Sequence, residues 1–386
     1  MSDLTAISGA RIFDGQVWHD DAALLLEFGQ VTAIVHSGDI PSHSERIHLD
    51  GGIVVPGFID LQVNGGGGAL LNEVPTLEGI RTICAAHAKF GTTALLPTLI
   101  TDTPEIGRRA VDAGQAAAEA RIPGFLGLHL EGPHLSLARK GAHDPALIRP
   151  MTDDDMAQIF HASAVLPNLL LTVAAETVPP ERIAHLIQCS AIVSIGHSNA
   201  PMALVMESAA AGASMATHLF NAMSQLGNRE PGVVGAVLQH GGMSAGLIAD
   251  GIHVDPATIA IALRAKTGPA RIFLVTDAMS LTGTDATSFT LNGREIIRAD
   301  GVLRLADGTL AGADLTMIDA ILYMHRVIGL DFDEAIRMAT LYPAQAMRIE
   351  ATHGHLGPGS VASFVHLSDA HAIRSTWIDG AEVFRA

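Results

Sequence analysis

An α/β chain folded as a (β/α)8 TIM-like barrel, with a small β-sandwich domain formed by both chain termini, is what this sequence predicts. Three observations carry the prediction. From about residue 53 to 350, strand-like and helix-like runs alternate through eight units, which suits a barrel of ~250 residues plus insertions. Metal-capable and acidic side chains stand repeatedly at the C-terminal ends of the strand-like runs. The two chain ends share a strand-and-turn pattern that the middle lacks, and termini commonly lie close together.

The N-terminal stretch reads as strands over Leu4–Phe13, Ala22–Phe28 and Val31–Val35, with turns at Asp14-Gly15 and Gly29-Gln30. The C-terminal stretch has the same character, with alternating runs at Val361–Leu367 and Trp377–Val383. Residues 1–52 with 356–386 therefore form the expected small domain, and 53–355 the barrel. Barrel strands are expected at Ile53–Val63, Thr92–Leu99, Phe125–Leu130, Leu169–Ala174, Ala191–Ile195, Ser214–Leu219, Ala245–Ala249 and Arg271–Thr276. Amphipathic helices are expected between them, at Thr76–Phe90, Pro104–Ala120, Pro179–Cys189 and Pro201–Gly212 among others. A doubly wound open sheet fits less well, because residues after strands 1, 3, 5, 6 and 8 would not all meet there. Within Leu281–Leu310, Phe289–Ile297 and Gly301–Leu305 suggest an inserted β-hairpin.

Bulk properties exclude several function classes. A formal charge of −17, from 40 acidic and 23 basic residues, gives no long-range attraction for nucleic acid or anionic membranes. An anionic substrate then needs a locally placed cation. Cys84 and Cys189 fit no disulfide or CxxC pattern and read as buried thiols. The start, Met1-Ser2-Asp3-Leu4, lacks the basic region of a signal peptide, and no apolar run approaches the ~20 residues of a membrane span. A soluble cytoplasmic protein is the expectation.

Chemistry concentrates at three strand ends. Leu128-His129-Leu130-Glu131, Ser194-Ile195-Gly196-His197 and Ala216-Thr217-His218 each finish an apolar run with a side chain able to bind metal. One carboxylate and two imidazoles form the open three-ligand set of hydrolytic zinc enzymes. Isolated histidines are usually satisfied core or surface residues, but three donors at equivalent strand ends are not three isolated cases. Zn²⁺ is the expected ion, with Fe²⁺, Co²⁺ and Mn²⁺ as alternatives. A fourth strand ends at Asp277, which suits a general base; a helix N-cap is the plainer reading, weakened because no amphipathic helix follows. Gln62 and Asn64, at i and i+2, face the mouth where binuclear metallohydrolases usually carry His-x-His. Amides are weaker ligands than imidazoles, so one tightly held metal per chain is expected. Gly65 to Gly68 lack the Lys-Ser/Thr of a phosphate loop and read as a flexible loop bordering the site. Arg229, His253 and His143 stand after predicted strands and are polar candidates, the first two for phosphate.

Several motifs together resemble a known family. Pro56-Gly57-Phe58-Ile59-Asp60, His129-Leu130-Glu131-Gly132-Pro133, Gly196-His197-Ser198-Asn199-Ala200 and Thr217-His218-Leu219-Phe220-Asn221-Ala222-Met223 are similar to those of N-acetylglucosamine-6-phosphate deacetylases, in the amidohydrolase superfamily. Arg229-Glu230-Pro231-Gly232, Ala249-Asp250-Gly251-Ile252-His253, Leu274-Val275-Thr276-Asp277-Ala278 and Ala339-Thr340-Leu341-Tyr342-Pro343-Ala344 continue the resemblance in the same order. It implies hydrolysis of N-acetylglucosamine 6-phosphate to glucosamine 6-phosphate and acetate. It further implies Glu131, His197 and His218 as metal ligands, Asp277 as acid/base and His143 at the acetyl carbonyl. Asn221 and Ala222 become sugar contacts, and Ala142, Leu310, Ala311 and Gly312 further substrate contacts. His253 and Arg229 become phosphate residues, the Arg reaching in from a neighbouring subunit of a homodimer or homotetramer. His134, Ala142 and Gly67 depart from some relatives without touching the ligands or the base. The nearest rivals are the same chemistry on N-acetylgalactosamine 6-phosphate or on an N-acyl amino acid. A cyclic-amide hydrolase usually keeps the missing His-x-His pair, and a non-catalytic sugar-phosphate sensor has no use for Asp277.

Overall fold

The computed structural model describes residues 4–386; Met1–Asp3, where the sequence lacks the basic region of a leader, lie outside the described residues. Eight parallel strands form one sheet in sequential order: Phe58–Val63, Thr92–Ile100, Leu128–Glu131, Leu169–Val173, Ile192–Ile195, Met215–Ala216, Ser244–Leu247 and Ile272–Leu274. Nearly every residue in these strands is buried, because barrel interior cover one face and helices the other. Two-sided burial is why the runs read as continuously apolar rather than alternating. The expected helices are present with ends shifted by a residue or two: Leu77–Ala88, Pro104–Glu119, Pro180–Gln188 and Met202–Ala210. Thr76 and Thr103 cap the first two, each side chain accepting a backbone N–H of the first turn.

The first and eighth strands meet without a regular ladder. Their seam consists of one bridge, Val63 to Ala278, with the Asp277 N–H donating to the Gln62 carbonyl and the Asn64 N–H to the Ala278 carbonyl, both at 2.9 Å. Asp60 reinforces it from inside the barrel. Its carboxyl oxygens accept from the Thr276 hydroxyl (2.5 Å) and from the backbone N–H groups of Thr276 and Gln62 (3.2 Å each). Full burial pushes the Asp60 carboxyl up to about 7, against the pull of those donors.

Both chain ends build two further sheets. One joins Leu4–Ser8, Ala22–Glu27, Gln30–His36 and Glu45–His48; the other joins Arg11–Phe13, Trp18–His19, Ile53–Pro56, Phe364–Leu367, Ile373–Ile378 and Ala381–Arg385. Ile7, Leu24 and Leu26 of the first meet Ile12, Val54, Phe364 and Trp377 of the second in one apolar cluster, as in a sandwich.

Four expectations need correction. The run expected as one strand over Ile53–Val63 is two, Ile53–Pro56 in the terminal sheet and Phe58–Val63 in the barrel, divided at Gly57. A Cβ at Gly57 would collide with the Thr93 side chain, so the chain changes sheets where only glycine fits. Leu4–Phe13 likewise divides between the two terminal sheets. The insertion is a three-stranded antiparallel sheet, Ser288–Leu291, Arg294–Ala299 and Val302–Leu305, rather than a hairpin. Cys84 is buried, but Cys189 is only partly so. Among the described residues no helix is long and apolar enough to cross a membrane.

The seam yields a stability prediction. Asp60→Ala removes the shared acceptor of three buried donors and should lower unfolding stability by about 2–3 kcal/mol, seen as a lower denaturant midpoint. An unchanged midpoint would show that the strands close without it.

Candidate active site

Glu131 is the last residue of the third strand, and His197, His218 and Asp277 follow closely after the fifth, sixth and eighth. His197, His218 and Asp277 have φ of 46°, 31° and 52°, a region that non-glycine residues rarely adopt. Each strand thus ends in an abrupt turn, and the turn puts the functional side chain at the barrel mouth.

The donor atoms converge. The Nε2 atoms of His197 and His218 each lie 3.1 Å from Glu131 Oε1 and 3.0 Å from one another. His197 Nδ1 donates to the Arg139 carbonyl at 2.8 Å, which leaves Nε2 as a lone-pair donor. Donors on a tetrahedral zinc with ~2.0–2.1 Å bonds are separated by about 3.3 Å, so this spacing fits such an ion. All three side chains are buried, and lone pairs this close repel unless a proton or cation lies among them. Burial would raise the Glu131 carboxyl, but His197 and His218 hold it well below the usual range. Burial works against charge on His218, yet the Glu131 carboxylate, with help from Asp277, raises it.

His143 also has a ligand-capable nitrogen in this cluster: Glu131, His143 and His197 present atoms within 4.8 Å of one another, a grouping able to hold a metal ion. Its surroundings suit another task. The Thr101 hydroxyl lies 2.7 Å from His143 Nδ1, and the Thr101 backbone N–H donates to the same nitrogen at 3.4 Å. An Nδ1 that accepts implies a proton on Nε2, so the ring offers an N–H rather than a lone pair. Burial, then the neighbouring His197, pushes its pKa well below the ordinary value and keeps it neutral.

Asp277 faces the triad. The amide of Asn64 donates to its Oδ1 at 2.6 Å, and the amide of Gln62 donates at 3.2 Å both to that oxygen and to Glu131 Oε1. Burial and the Glu131 charge raise the Asp277 carboxyl to about 6. Beneath these residues a hydroxyl chain runs from Ser194 to Thr217 (2.7 Å) to Thr172 (2.6 Å) and on to His129 Nε2 (2.7 Å). His129 is therefore a barrel-filling residue, and burial lowers its pKa to about 4.

A cavity of about 390 Å³ collects the nominated residues. Glu131, Ala142, His143, His197, His218, Asn221, Ala222, His253, Asp277 and Leu310 to Gly312 all line it. His253 Nδ1 bonds the Asp250 carboxylate at 2.6 Å. Arg229 does not reach this cavity; it is exposed on the loop after the sixth strand. Gly65 to Gly68 are a hydrogen-bonded hairpin rather than a flexible loop, with Gly67 and Gly68 donating to the carbonyls of Thr282 and Ser280 (2.8 Å each). Thr101, which sets the His143 tautomer, and the Arg139 carbonyl, which sets that of His197, carry no signal in the sequence, because no residue spacing reports such contacts. A second cavity of about 370 Å³, between helices Pro104–Glu119 and Asp153–Val165, contains none of the nominated residues.

A sequential eight-strand barrel whose C-terminal rim holds a buried donor cluster and a facing carboxylate is the arrangement of a barrel hydrolase. Residues 53–383 match the amidohydrolase family, and the chain belongs to it. It is 43% identical to the N-acetylgalactosamine-6-phosphate deacetylase of Shewanella sp. (strain ANA-3), over 91% of this chain and 88% of that one. It is 32% identical to the N-acetylglucosamine-6-phosphate deacetylase of Haemophilus influenzae, over 93% of this chain and 94% of that one. The crystal structure of the N-acetylglucosamine-6-phosphate deacetylase from Pasteurella multocida superposes with a TM-score of 0.94 at 33% identity, covering 98% of this chain and 99% of that one.

The geometry separates two ligand sets. Purified protein should contain about one divalent ion per chain, lost in His218→Ala and retained in His143→Ala, as read by elemental analysis. Loss in His143→Ala with retention in His218→Ala would reverse the assignment.

Proposed function

We propose that this enzyme hydrolyses the acetamide of N-acetyl-D-glucosamine 6-phosphate to D-glucosamine 6-phosphate and acetate, in amino-sugar catabolism or cell-wall amino-sugar recycling. The observation that carries the reading is the placement of a raised carboxyl, Asp277, opposite the Glu131, His197 and His218 donors in one cavity that also holds the neutral His143. Glu131, His197 and His218 would hold one divalent ion per subunit, with Zn²⁺ the best match to imidazole and carboxylate donors. When bound, such an ion supplies Lewis acidity and lowers the pKa of water toward ~7.

The chain's own groups then have separable tasks. Asp277 takes a proton from the attacking water and returns it to the amine nitrogen, without which an amide nitrogen does not leave. Gln62 and Asn64 fix Asp277 by Oδ1, so the carboxylate meets the substrate in one orientation. His143, carrying its proton on Nε2, donates toward the acetyl oxygen as negative charge develops there, a contribution worth ~3 kcal/mol for one good donor. Ala142, Asn221, Ala222, Leu310, Ala311 and Gly312 contact the sugar. His253, held by Asp250, receives the phosphate together with Arg229 from a neighbouring subunit of a homodimer or homotetramer; the exposure of Arg229 outside its own cavity supports this. The same proposal treats the protein as cytoplasmic, with a small domain, expected as 1–52 with 356–386, beside a barrel expected as 53–355; pairing of Ile53–Pro56 within the terminal sheet moves that junction to Gly57.

A second reading is favoured by one observation. The relative at 43% identity is named for the galacto substrate, whereas that from Haemophilus, at 32%, is named for the gluco substrate. N-acetylgalactosamine 6-phosphate is therefore the alternative.

Acetate release from both phosphorylated epimers and from unphosphorylated N-acetylglucosamine tests the reading. The phosphorylated gluco sugar should be turned over, the unphosphorylated one far more slowly, and Arg229→Ala should raise KM. Faster turnover of the galacto epimer would move the assignment to the alternative, and no acetate from either would remove it. Asp277→Asn should keep its metal and lose about 10²–10⁴-fold in kcat; a near-normal kcat would remove the base.

A further inference from the structure

The three-stranded insertion has an active-site contact that none of the roles above uses. Its strands Ser288–Leu291 and Arg294–Ala299 are joined by a tight turn at Asn292-Gly293. Leu291, Ile296 and Leu303 of its buried face pack with Leu70, Ile100, Met279 and Leu281 from the barrel mouth, and Ala142 packs against the same cluster. Arg298 ties the insertion down through the Leu281 carbonyl (2.7 Å) and the Asp314 carboxylate (2.8 Å). Arg294 instead reaches across to the substrate side, where its guanidinium donates to the Ala142 carbonyl at 2.5 Å.

That carbonyl belongs to the peptide unit joining Ala142 to His143. The other end of the same unit, the His143 N–H, donates to the Lys140 carbonyl at 3.0 Å. With Thr101 holding the ring at Nδ1, His143 is fixed at three points: peptide N–H, preceding carbonyl and imidazole. Of the two contacts to the backbone, the Lys140 carbonyl is local to the turn, and that of Arg294 comes from a different part of the fold. The Ala142 carbonyl would otherwise need water or another donor, and the Lys140–His143 turn passes through Gly141 at φ 56°, where the backbone is least restrained.

Resting on the deacetylase reading, we propose that Arg294 is a positioning residue for the reaction: it clamps the Ala142–His143 peptide so that the imidazole N–H stays aimed at the acetyl oxygen, and the insertion is the strut that carries it. A charged donor on a single carbonyl is among the stronger hydrogen bonds available to a loop, so its loss should have a measurable effect.

Arg294→Ala, Arg294→Lys and the control Arg304→Ala, all in the holoenzyme, test this. Arg304 is an exposed cation on the same sheet that reaches only the Gly308 carbonyl at 2.9 Å. In Arg294→Ala, amide hydrogen exchange over residues 140–143 should quicken about tenfold, kcat should fall about tenfold and KM should move by less than about threefold, with metal content unchanged. Added guanidinium ion should restore part of kcat, Arg294→Lys should lie between, and Arg304→Ala should match wild type. Unchanged exchange over 140–143 overturns the clamp. Faster exchange with unchanged kcat overturns the positioning role, as does a loss spread evenly over the whole insertion without guanidinium rescue. If the wild-type enzyme releases no acetate from either epimer, the substrate reading fails, and the exchange measurement still decides the clamp.

Discussion

Three electron-pair donors buried within 3.1 Å of one another cannot hold that arrangement by their own attraction. The rest of the molecule has to impose it. Parallel strands in sequential order do so, because each contributes one rim position and its neighbours fix the register. Left-handed backbone at His197, His218 and Asp277 is strained by about 1–3 kcal/mol at each position, and such strain persists only in a rigid surround. The hydroxyl chain below, Ser194 to Thr217 to Thr172, satisfies polar groups that would otherwise be orphaned at the base of the site.

Identity alone does not assign the two groups that face this cluster. Asp277 is suited to proton transfer because it is buried near Glu131 and grasped on one oxygen by two amides. His143 is close enough to be a ligand, yet the Thr101 backbone N–H donating to Nδ1 leaves its ring with a proton on Nε2. Gln62 and Asn64 spend their amide N–H groups on the Asp277 carboxylate. The neighbours choose the role.

Much of this was legible in the residues. Strand ends announced Glu131, His197, His218 and Asp277 because a buried parallel strand is uniformly apolar until the residue that leaves it. Helices with a Thr cap or an early Pro were placed within a residue or two for the same local reason. Legibility failed where hydrophobicity was continuous but pairing partners changed. Ile53–Val63 reads as one run, and nothing in its composition says that its halves belong to different sheets. The glycine run from Gly65 suggested looseness because glycine permits it, while the actual constraint, a pair of bonds to Thr282 and Ser280, comes from more than 200 residues away in the chain. Arg294 was invisible for the same reason: a cation in a polar insertion gives no hint of the carbonyl it will find.

The glycine that splits Ile53–Val63 has a mechanical meaning. Pro56 is hydrogen-bonded into the sheet made by the chain ends, Phe58 is already in the barrel, and four residues beyond Phe58 lies Gln62, whose amide touches both Glu131 and Asp277. A segment this short, paired to a neighbour on either side of Gly57, has little slack in which to hinge. The terminal sheet is thereby geared directly to the reaction centre, and a force applied at its Ala381–Arg385 edge would be felt at the seam of the barrel before any loop could absorb it.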